Sequence, residues 1–385
     1  MSAAEEQWLC ADNLTAVLNE FVDSRAVPGV LAVVTDVDRL VYTGACGFAQ
    51  RRAGIAIAPD TIFRIASMTK VITSVAVLML ADEGKVELDA PLSRYVPGYR
   101  QPPVLRFFDH SSGQYETRPA REEVTVRRLL SHTSGYGYWF LDDRLLQLVD
   151  GEPDLLQAPF LIDEPGSRWH YSTSTDVLAQ LIEPVSGQPL ETFIAQRIGK
   201  PLGMRDTGFA LPAKTERLAS VFDRTADGFN ELDLETSGPA PRGGGGLYST
   251  ADDYCRLLRM LLNRGAARGK QLLSESLWNA MTSNQIGDLR ANVQTTAVPG
   301  RSNDFIFMNG SQQFGLGLAL ETVNQPTGRP AGSASWAGIW NTYFWVDFTN
   351  ELAGAVFMQV RPFADVWCVE LCRRFEAALY DCLAQ

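Results

Sequence analysis

The sequence predicts an α+β fold, an α/β sandwich in which an antiparallel sheet is flanked by helices and a helical lobe comes from the middle of the chain. Hairpin-like strand patterns lie near both ends, helix patterns accompany them, and the residues between them form short helices and Gly- and Pro-rich loops. A chain of 385 residues is long enough for two such units. We therefore predict a sandwich domain of residues 1–90 and 281–385 and a lobe of residues 91–280.

The first ninety residues supply the elements of one half of the sandwich. A helix is expected around residues 13–24, and the run GVLAVVTDVDRLVYTGACG predicts two strands that turn between Asp36 and Arg39. Residues 61–84 follow with apolar positions close to a helical period and end at Gly84. The proline-rich run DAPLSRYVPGYRQPP then indicates a boundary near residue 90.

Three later segments are also well marked. YSTADDYCRLLRMLLNRG predicts a helix with Ser249 or Thr250 as its N-cap and Gly265 as its stop. The preceding GGGG predicts a tight turn, because no Gly-Lys-Ser/Thr follows it as in a phosphate loop. WAGIWNTYFWVDFTNELAGAVFMQV predicts a second hairpin turning around residues 347–351, and ADVWCVELCRRFEAALYDCL predicts a final amphipathic helix.

Composition excludes several classes of function. A net charge of −11 argues against nucleic-acid binding and against anionic membranes, since both depend on Lys and Arg. The longest apolar stretch, VITSVAVLML, is far shorter than the roughly 20 residues that span a bilayer. The acidic start MSAAEEQWLCADNL lacks the features of a secretory signal, so we predict a cytoplasmic protein with reduced cysteines. Cys368 and Cys372 have no histidine at ligand spacing and are expected to serve packing.

The segment TIFRIASMTKVITSVAVLML places two polar residues, Ser67 and Lys70, three positions apart at the start of an apolar run. Residues at this spacing share one face of a helix and can meet. A lysine among so many apolar neighbours is costly unless it is paired or deprotonated. A serine near a helix N-terminus with an adjacent amine has the parts of an activated nucleophile.

The sequence contains no clear motif of another type of hydrolase. Neither G-x-S-x-G nor H-E-x-x-H occurs, and the three histidines, His110, His132 and His170, are scattered. A Ser-His-Asp triad stays open, because its members need not be neighbours in sequence. His132 is interpreted as a structural, hydrogen-bonded residue. Tyr138 belongs to an aromatic cluster after Gly135 that either lines a pocket or packs the lobe.

Six motifs occur in order along the chain: IASMTK, RLLSHTSGYGYW, WHYST, KPLGMRDTGF, GGGGLYSTADD and WAGIW. Together they resemble the serine β-lactamase and penicillin-binding-protein superfamily, and most closely the family VIII carboxylesterases, which have the class C β-lactamase fold. The resemblance runs from about residue 20 to the C-terminus and implies an active-site cleft between sheet and lobe.

The resemblance assigns roles to individual residues. It implies that Ser67 is the nucleophile, that Lys70 and Tyr171 move its proton, and that the backbone N–H groups of Ser67 and Ile339 form the oxyanion hole. Thr173 stands where a β-lactamase has Asn. The third motif, normally Lys-Thr/Ser-Gly, is Trp336-Ala337-Gly338.

The missing lysine of the third motif and the Trp336 indole favour a neutral, apolar substrate, with Arg329 or Arg361 as possible replacement cations. We expect Tyr138, Trp336 and Gly338 to contact substrate.

We predict a serine hydrolase that cleaves small- or medium-chain carboxylic esters through an acyl-enzyme. The expected partner is a small-molecule ester, with no metal or cofactor, no nucleic acid and no membrane, and the oligomeric state stays open. The alternatives are an amidase, D-aminopeptidase, weak β-lactamase or acyltransferase on the same fold, or a non-catalytic relative that binds an acyl group.

Overall fold

The computed structural model describes residues 3–100, 102–148, 160–211, 215–234, 240–305 and 312–384. Its strands are β1 (Gly29–Thr35), β2 (Leu40–Gln50), β3 (Ile55–Ala56), β4 (Ile62–Arg64), β5 (Pro103–Phe108), β6 (Tyr115–Pro119), β7 (Phe222–Thr225), β8 (Gly228–Glu231), β9 (Tyr248–Thr250), β10 (Ala266–Ala267), β11 (Lys270–Gln271), β12 (Gln313–Phe314), β13 (Ala319–Leu320), β14 (Ala334–Gly338), β15 (Thr342–Asp347), β16 (Leu352–Phe357) and β17 (Val360–Arg361).

The helices complete the element order, together with short 3-10 turns and a π-helical turn at Ala195–Gly199. The 3-10 turn at Ala66–Met68 matters most below. The helices are α1 (Ala3–Asp23), α2 (Thr69–Asp82), α3 (Val126–Leu130), α4 (Asp143–Leu148), α5 (Ser174–Ala179), α6 (Ile182–Ser186), α7 (Leu190–Ile194), α8 (Lys200–Leu202), α9 (Ala251–Leu262), α10 (Glu275–Met281) and α11 (Val366–Leu383).

An eight-stranded sheet organises the molecule, with strand order β12-β13-β14-β15-β16-β1-β2-β3. All of its pairings are antiparallel. Strand β1 pairs with β2 on one side and with β16 on the other, in a register that sets Leu31 opposite Phe357. The two ends of the chain therefore close one sheet, and the predicted α+β fold with an antiparallel sheet and flanking helices is confirmed.

Apolar residues cover both faces of the sheet. On one face, Val30, Ala32 and Val34 of β1 belong to a hydrophobic cluster that includes residues of α1 and α11. On the other face, Leu31 and Val33 join the larger cluster with α2 and α9. A strand that is buried on both sides needs apolar residues at successive positions, which explains the continuous apolar sequence GVLAVV of β1. Cys368, which was expected to serve packing, is fully buried in the layer that the sheet forms with α1 and α11.

Helix packing crosses the predicted domain boundaries. Helix α2, which falls within residues 1–90, packs against α5, α6 and α7 of the middle region. Helix α9, which falls within residues 91–280, packs against β1 and β16 of the sheet. The division into residues 1–90 with 281–385 and residues 91–280 stays a prediction.

The elements with local sequence signals form as expected. The first hairpin turns at residues 36–39, where the Asp36 N–H donates to the Arg39 carbonyl at 3.0 Å. The second hairpin joins β15 to β16 in the predicted place. Thr250 caps α9 by accepting a hydrogen bond from the Asp253 N–H at 3.2 Å. Helix α1 begins ten residues earlier than the predicted residue 13.

The prediction of one helical run over residues 61–84 was wrong at its start. Residues 62–64 are strand β4, which pairs with β9. A 3-10 turn follows at Ala66–Met68, and the α-helix begins only at Thr69. The cause is tertiary, because the partner strand lies far along the chain and leaves no signal in the local sequence.

None of the helices in the described part of the chain is long and apolar enough to cross a membrane. The cytoplasmic location stays a prediction.

Candidate active site

Ser67 lies in the 3-10 turn that links β4 to α2. The residue before it, Ala66, has a φ of +45°, in the left-handed region that residues with a β-carbon rarely adopt. On the opposite side the turn packs against the end of β14, where a β-carbon on Gly338 would lie only 2.5 Å from the Ile65 carbonyl oxygen. Glycine at position 338 therefore lets the strand approach the serine turn, and strain at Ala66 is of the kind found at functional sites.

Lys70 is 1% exposed, and its ammonium group has three polar neighbours. Its Nζ lies 3.1 Å from Ser67 Oγ, 3.0 Å from the Tyr138 hydroxyl and 2.6 Å from the Gly244 carbonyl oxygen. The carbonyl can only accept, whereas the two hydroxyls can donate or accept. The same geometry therefore serves both a charged amine that donates three hydrogen bonds and a neutral amine that accepts the serine proton.

Tyr171 approaches Ser67 from a second side. Its hydroxyl lies 2.6 Å from Ser67 Oγ and donates to it, and the side chain is 5% exposed. The Lys70 Nζ lies 5.0 Å from the centre of the Tyr171 ring. The structure thus brings together Ser67, Lys70 and Tyr171, the three residues to which the resemblance assigned catalysis.

Tyr138 and Asp176 extend this arrangement away from the serine. The Tyr138 hydroxyl makes a long contact of 3.5 Å with Asp176 Oδ2, and Asp176 Oδ1 accepts a hydrogen bond from the Gly244 N–H at 2.8 Å. Burial raises the pKa of Tyr138 well above its ordinary value, and the nearby Tyr171 and Asp176 raise it further. Tyr138 is therefore a neutral phenol that can accept from Lys70 while its own proton points to the carboxylate.

The GGGG run forms a turn, as predicted, and it also contacts the site. A β-carbon on Gly244 would lie 2.3 Å from Asp176 Oδ2, and one on Gly243 would lie 2.4 Å from Ala179 Cβ. The Gly243 carbonyl accepts from the Thr73 hydroxyl of α2 at 2.8 Å. The sequence analysis missed Asp176 and Gly244 as site residues, because Asp176 follows a run of Ser and Thr that gives no local signal of a site.

A cavity of about 230 Å³ opens at Ser67, and we call it the Ser67 cavity. Its wall includes Tyr138, Tyr171, Gly338 and Ile339. Ser67 and Ile339, whose N–H groups are the predicted oxyanion hole, thus border the same space. That role stays a prediction.

The described wall of the Ser67 cavity does not include Trp336, which the sequence reasoning placed in substrate contact. Its side chain is 2% exposed and is used for packing, with ring centres 5.3 Å from Tyr171 and 5.3 Å from Phe314. It also stacks on His132 at 6.0 Å with an angle of 12° between the rings. The expectation of a neutral, apolar substrate therefore loses the support of this indole and keeps only that of the missing third-motif lysine.

His132 has the structural surroundings predicted for it. It is 2% exposed, and its Nδ1 lies 3.2 Å from the Ser172 hydroxyl, next to Tyr171 in the chain. Burial lowers the pKa of His132 well below its ordinary value, and the nearby Lys70 and His170 lower it further. A neutral imidazole in this position supports the segment that carries Tyr171.

Cations line the Ser67 cavity, although not those that the sequence reasoning named. Arg329 is buried beside Glu321 and Glu376, and Arg361 pairs with Asp223. Neither belongs to the described cavity wall. The arginines that line it are Arg64, Arg242 and Arg301.

The model of the Beta-lactamase family matches residues 14–378. This chain belongs to that family. Esterase EstB of Burkholderia gladioli is 33% identical over 379 residues, which cover 88% of this chain and 87% of that protein. Monacolin J acid methylbutanoyltransferase of Aspergillus terreus is 30% identical over 388 residues, 93% of each chain. A mutant of simvastatin synthase from Aspergillus terreus has a TM-score of 0.82 at 27% identity, covering 97% of this chain and 98% of that one.

Family membership confirms the β-lactamase-like fold and makes the protein a serine hydrolase-type enzyme, and its relatives support the esterase-like branch. Assignment to family VIII within that branch stays a prediction.

Proposed function

We propose that this enzyme hydrolyses carboxylic esters of small or medium acyl chains by two-step acyl transfer at Ser67. One observation carries the proposal: Ser67 Oγ lies within hydrogen-bond distance of both Lys70 Nζ, at 3.1 Å, and the Tyr171 hydroxyl, at 2.6 Å, at the wall of a cavity. A nucleophile with proton-transfer groups in direct contact is the arrangement that acyl transfer needs. The similarity to an esterase supports ester bonds as the target.

In the proposed first step, Ser67 Oγ attacks the ester carbonyl carbon while its proton passes to the Lys70–Tyr171 pair. The C–O bond to the alcohol then breaks, and the alcohol leaves with that proton. The N–H groups of Ser67 and Ile339 would hold the oxyanion, and such a donor is commonly worth about 3 to 4 kcal/mol in the transition state. In the second step water attacks the acyl carbon and gives a proton to the same pair. The bond from that carbon to Ser67 Oγ then breaks, the pair returns the proton to Oγ, and the carboxylic acid leaves.

A second candidate is acyl transfer to an alcohol in place of water. The similarity to a methylbutanoyltransferase and to simvastatin synthase favours it. The two reactions share the acyl-enzyme and differ only in the acceptor. Amidase, D-aminopeptidase and β-lactamase activities have no comparable support, and the third-motif lysine of β-lactamases is replaced by Trp336.

The test is to follow nitrophenolate release from p-nitrophenyl acetate and butyrate, with and without an added alcohol. Ser67→Ala is compared with Ser276→Ala, a change at an exposed serine. We expect turnover and a fluorophosphonate adduct on Ser67, both lost in Ser67→Ala alone. Equal turnover by Ser67→Ala would contradict the mechanism. Acylation without turnover would favour the non-catalytic alternative, and ester products with the added alcohol would favour acyl transfer.

A further inference from the structure

The described wall of the Ser67 cavity carries a charge opposite in sign to that of the whole chain. The protein carries a net charge of −11, yet the described cavity wall contains three arginines and a single carboxylate, Asp176. That carboxylate already accepts a hydrogen bond from the Gly244 N–H. Positive charge in a cleft with low-dielectric walls attracts anions and raises their local concentration.

Arg301 differs from the other buried or half-buried arginines whose partners the structure gives. Arg224 pairs with Asp365, Arg361 with Asp223, and Arg329 with Glu321. Within the described residues the Arg301 guanidinium makes no ion pair, and its Nε has no hydrogen-bond partner although it is buried. Its charge is therefore uncompensated by the parts of the chain that the structure describes.

Aromatic rings hold the Arg301 side chain in place. Its Cζ lies 5.1 Å from the centre of the Trp139 ring and 5.5 Å from that of Phe140, both of which also line the cavity. Its backbone is fixed as well, since the Phe363 N–H donates to the Arg301 carbonyl at 3.0 Å. A guanidinium stacked on rings keeps its planar edge of N–H donors available.

An arginine in this setting needs an anion. Burial lowers the pKa of Arg301, and the nearby Arg361 and Arg242 act in the same direction, while Tyr138 opposes them. The guanidinium nevertheless stays protonated at neutral pH. A half-buried cation without a partner is unfavourable, and carboxylates satisfy the guanidinium fork with two parallel hydrogen bonds.

We propose that the substrate of this enzyme carries a carboxylate and that Arg301 binds it. The inference rests on the proposed ester hydrolysis or acyl transfer at Ser67 and names the class of ester. It replaces the sequence-based expectation of a neutral, apolar substrate. The carboxylate belongs either to the acyl part of the ester or to the alcohol part, and the experiment distinguishes the two.

Two pairs of substrates test the proposal, each matched except for a single negative charge. In the acyl pair, mono-p-nitrophenyl adipate is compared with its methyl ester, following nitrophenolate. In the alcohol pair, 4-acetoxybenzoate is compared with its methyl ester, following the phenol. The readout is the ratio of kcat/KM for the free acid to that for the methyl ester, at pH 7. The ratio is taken within one preparation, so partial loss of folded protein cancels.

We expect the native enzyme to prefer the free acid in one of the pairs, and Arg301→Met to lower that ratio by at least about tenfold, the size of one lost charge-assisted hydrogen bond. Arg301→Lys keeps the charge without the fork and should retain part of the preference. Arg290→Met makes the same charge change at an exposed site outside the described cavity wall and should leave the ratio unchanged.

Two results would overturn the proposal. One is a native enzyme that hydrolyses these esters with no preference for the acid in either pair. The other is a preference that Arg301→Met and Arg301→Gln both retain. Failure to hydrolyse any of the four esters, together with the p-nitrophenyl acetate and butyrate above, would instead overturn the proposed function itself.

Discussion

Lys70 is the residue whose surroundings most closely define the proposed chemistry. Among its three polar neighbours, only the Gly244 carbonyl is unable to donate a hydrogen bond. That carbonyl therefore orients the amine whatever its protonation state. Ser67 Oγ and the Tyr138 hydroxyl occupy the positions through which a proton can arrive or leave.

Lys70→Met should lower kcat/KM for p-nitrophenyl butyrate by at least about a hundredfold, because proton transfer by a positioned group is typically worth 10² to 10⁴. Lys70→Arg should not restore activity, since a guanidinium does not accept a proton at neutral pH. The matched control is Lys85→Met, at an exposed lysine 2.8 Å from Glu83. Steady-state kinetics of the three variants check the prediction, and a Lys70→Met enzyme of nearly native activity would remove Lys70 from the mechanism.

His132 should make stability depend on pH. Burial lowers the pKa of His132 in the folded protein. As the pH falls below about 6.5, the imidazole therefore binds a proton in the unfolded chain while it stays neutral in the folded protein. The contribution is fully present above that pH and is lost as the pH falls toward the folded pKa, by up to about 1.4 kcal/mol per pH unit.

Asparagine at position 132 removes this titration while tolerating the left-handed backbone there, where φ is +56°. Urea unfolding at pH 7.5 and pH 5 should show a smaller loss of stability for His132→Asn than for the native protein. The same change at the exposed His110 should leave the native loss unaltered. An equal loss in His132→Asn would mean that His132 does not titrate on unfolding.

The GGGG turn connects two helices, α2 and α5, through hydrogen bonds to both. Gly243 binds Thr73 of α2, and Gly244 joins Asp176 of α5 to Lys70 of α2. The sequence predicted a tight turn here from glycine content. It did not predict which neighbours require the missing β-carbons, since they lie far away along the chain.

Gly244→Ala should damage both packing and activity. The new methyl group would lie 2.3 Å from Asp176 Oδ2, and overpacking of this kind typically costs about 1 to 3 kcal/mol of stability. Displacement of the Gly244 carbonyl should also misplace Lys70 and lower kcat more than it raises KM. Gly98→Ala, where a β-carbon meets no atom within 4 Å, is the control. Thermal unfolding and kinetics measure the two effects, and native values for both would contradict this account of the turn.

Elements that depend on local signals were predictable, and those that depend on distant partners were not. Both hairpins and the Thr250 cap follow from turn residues and capping chemistry within a few positions. Strand β4 was missed because its partner, β9, lies in a different part of the sequence. The Ser67–Lys70 pair was visible as a spacing on one helix face, whereas Asp176 and Arg301 reach the cavity only through the tertiary fold.

The sheet buried on both faces sets stability at the scale of the whole molecule. Phe375 of α11 is fully buried in the layer formed with α1, with its ring centre 5.7 Å from that of Tyr42. The Ser67 turn instead packs into the other layer through Met68 and Ile65. Mutations in the layer formed with α1 and α11 should therefore lower stability without changing catalysis.

Phe375→Ala should lower the free energy of unfolding by about 3 to 5 kcal/mol, the usual cost of such a truncation in a core. KM for p-nitrophenyl butyrate should stay at its native value in the folded fraction. Phe107→Ala removes an equal side chain that is 55% exposed and should cost less than about 0.5 kcal/mol. Chemical denaturation of both variants tests this, and a small loss in Phe375→Ala would show that α11 contributes little to the sheet.

The pairing of β1 with β16 also bears on when the enzyme becomes active during its own synthesis. Ser67 is made early, but the glycine that borders its turn, Gly338, lies on a strand whose sheet is completed only when residue 357 has left the ribosome and paired with residue 31. A nascent chain that stalls before this point contains Ser67 and Lys70 but lacks the Gly338 wall of the Ser67 cavity. Under the mechanism proposed above, unfinished chains should therefore not hydrolyse esters.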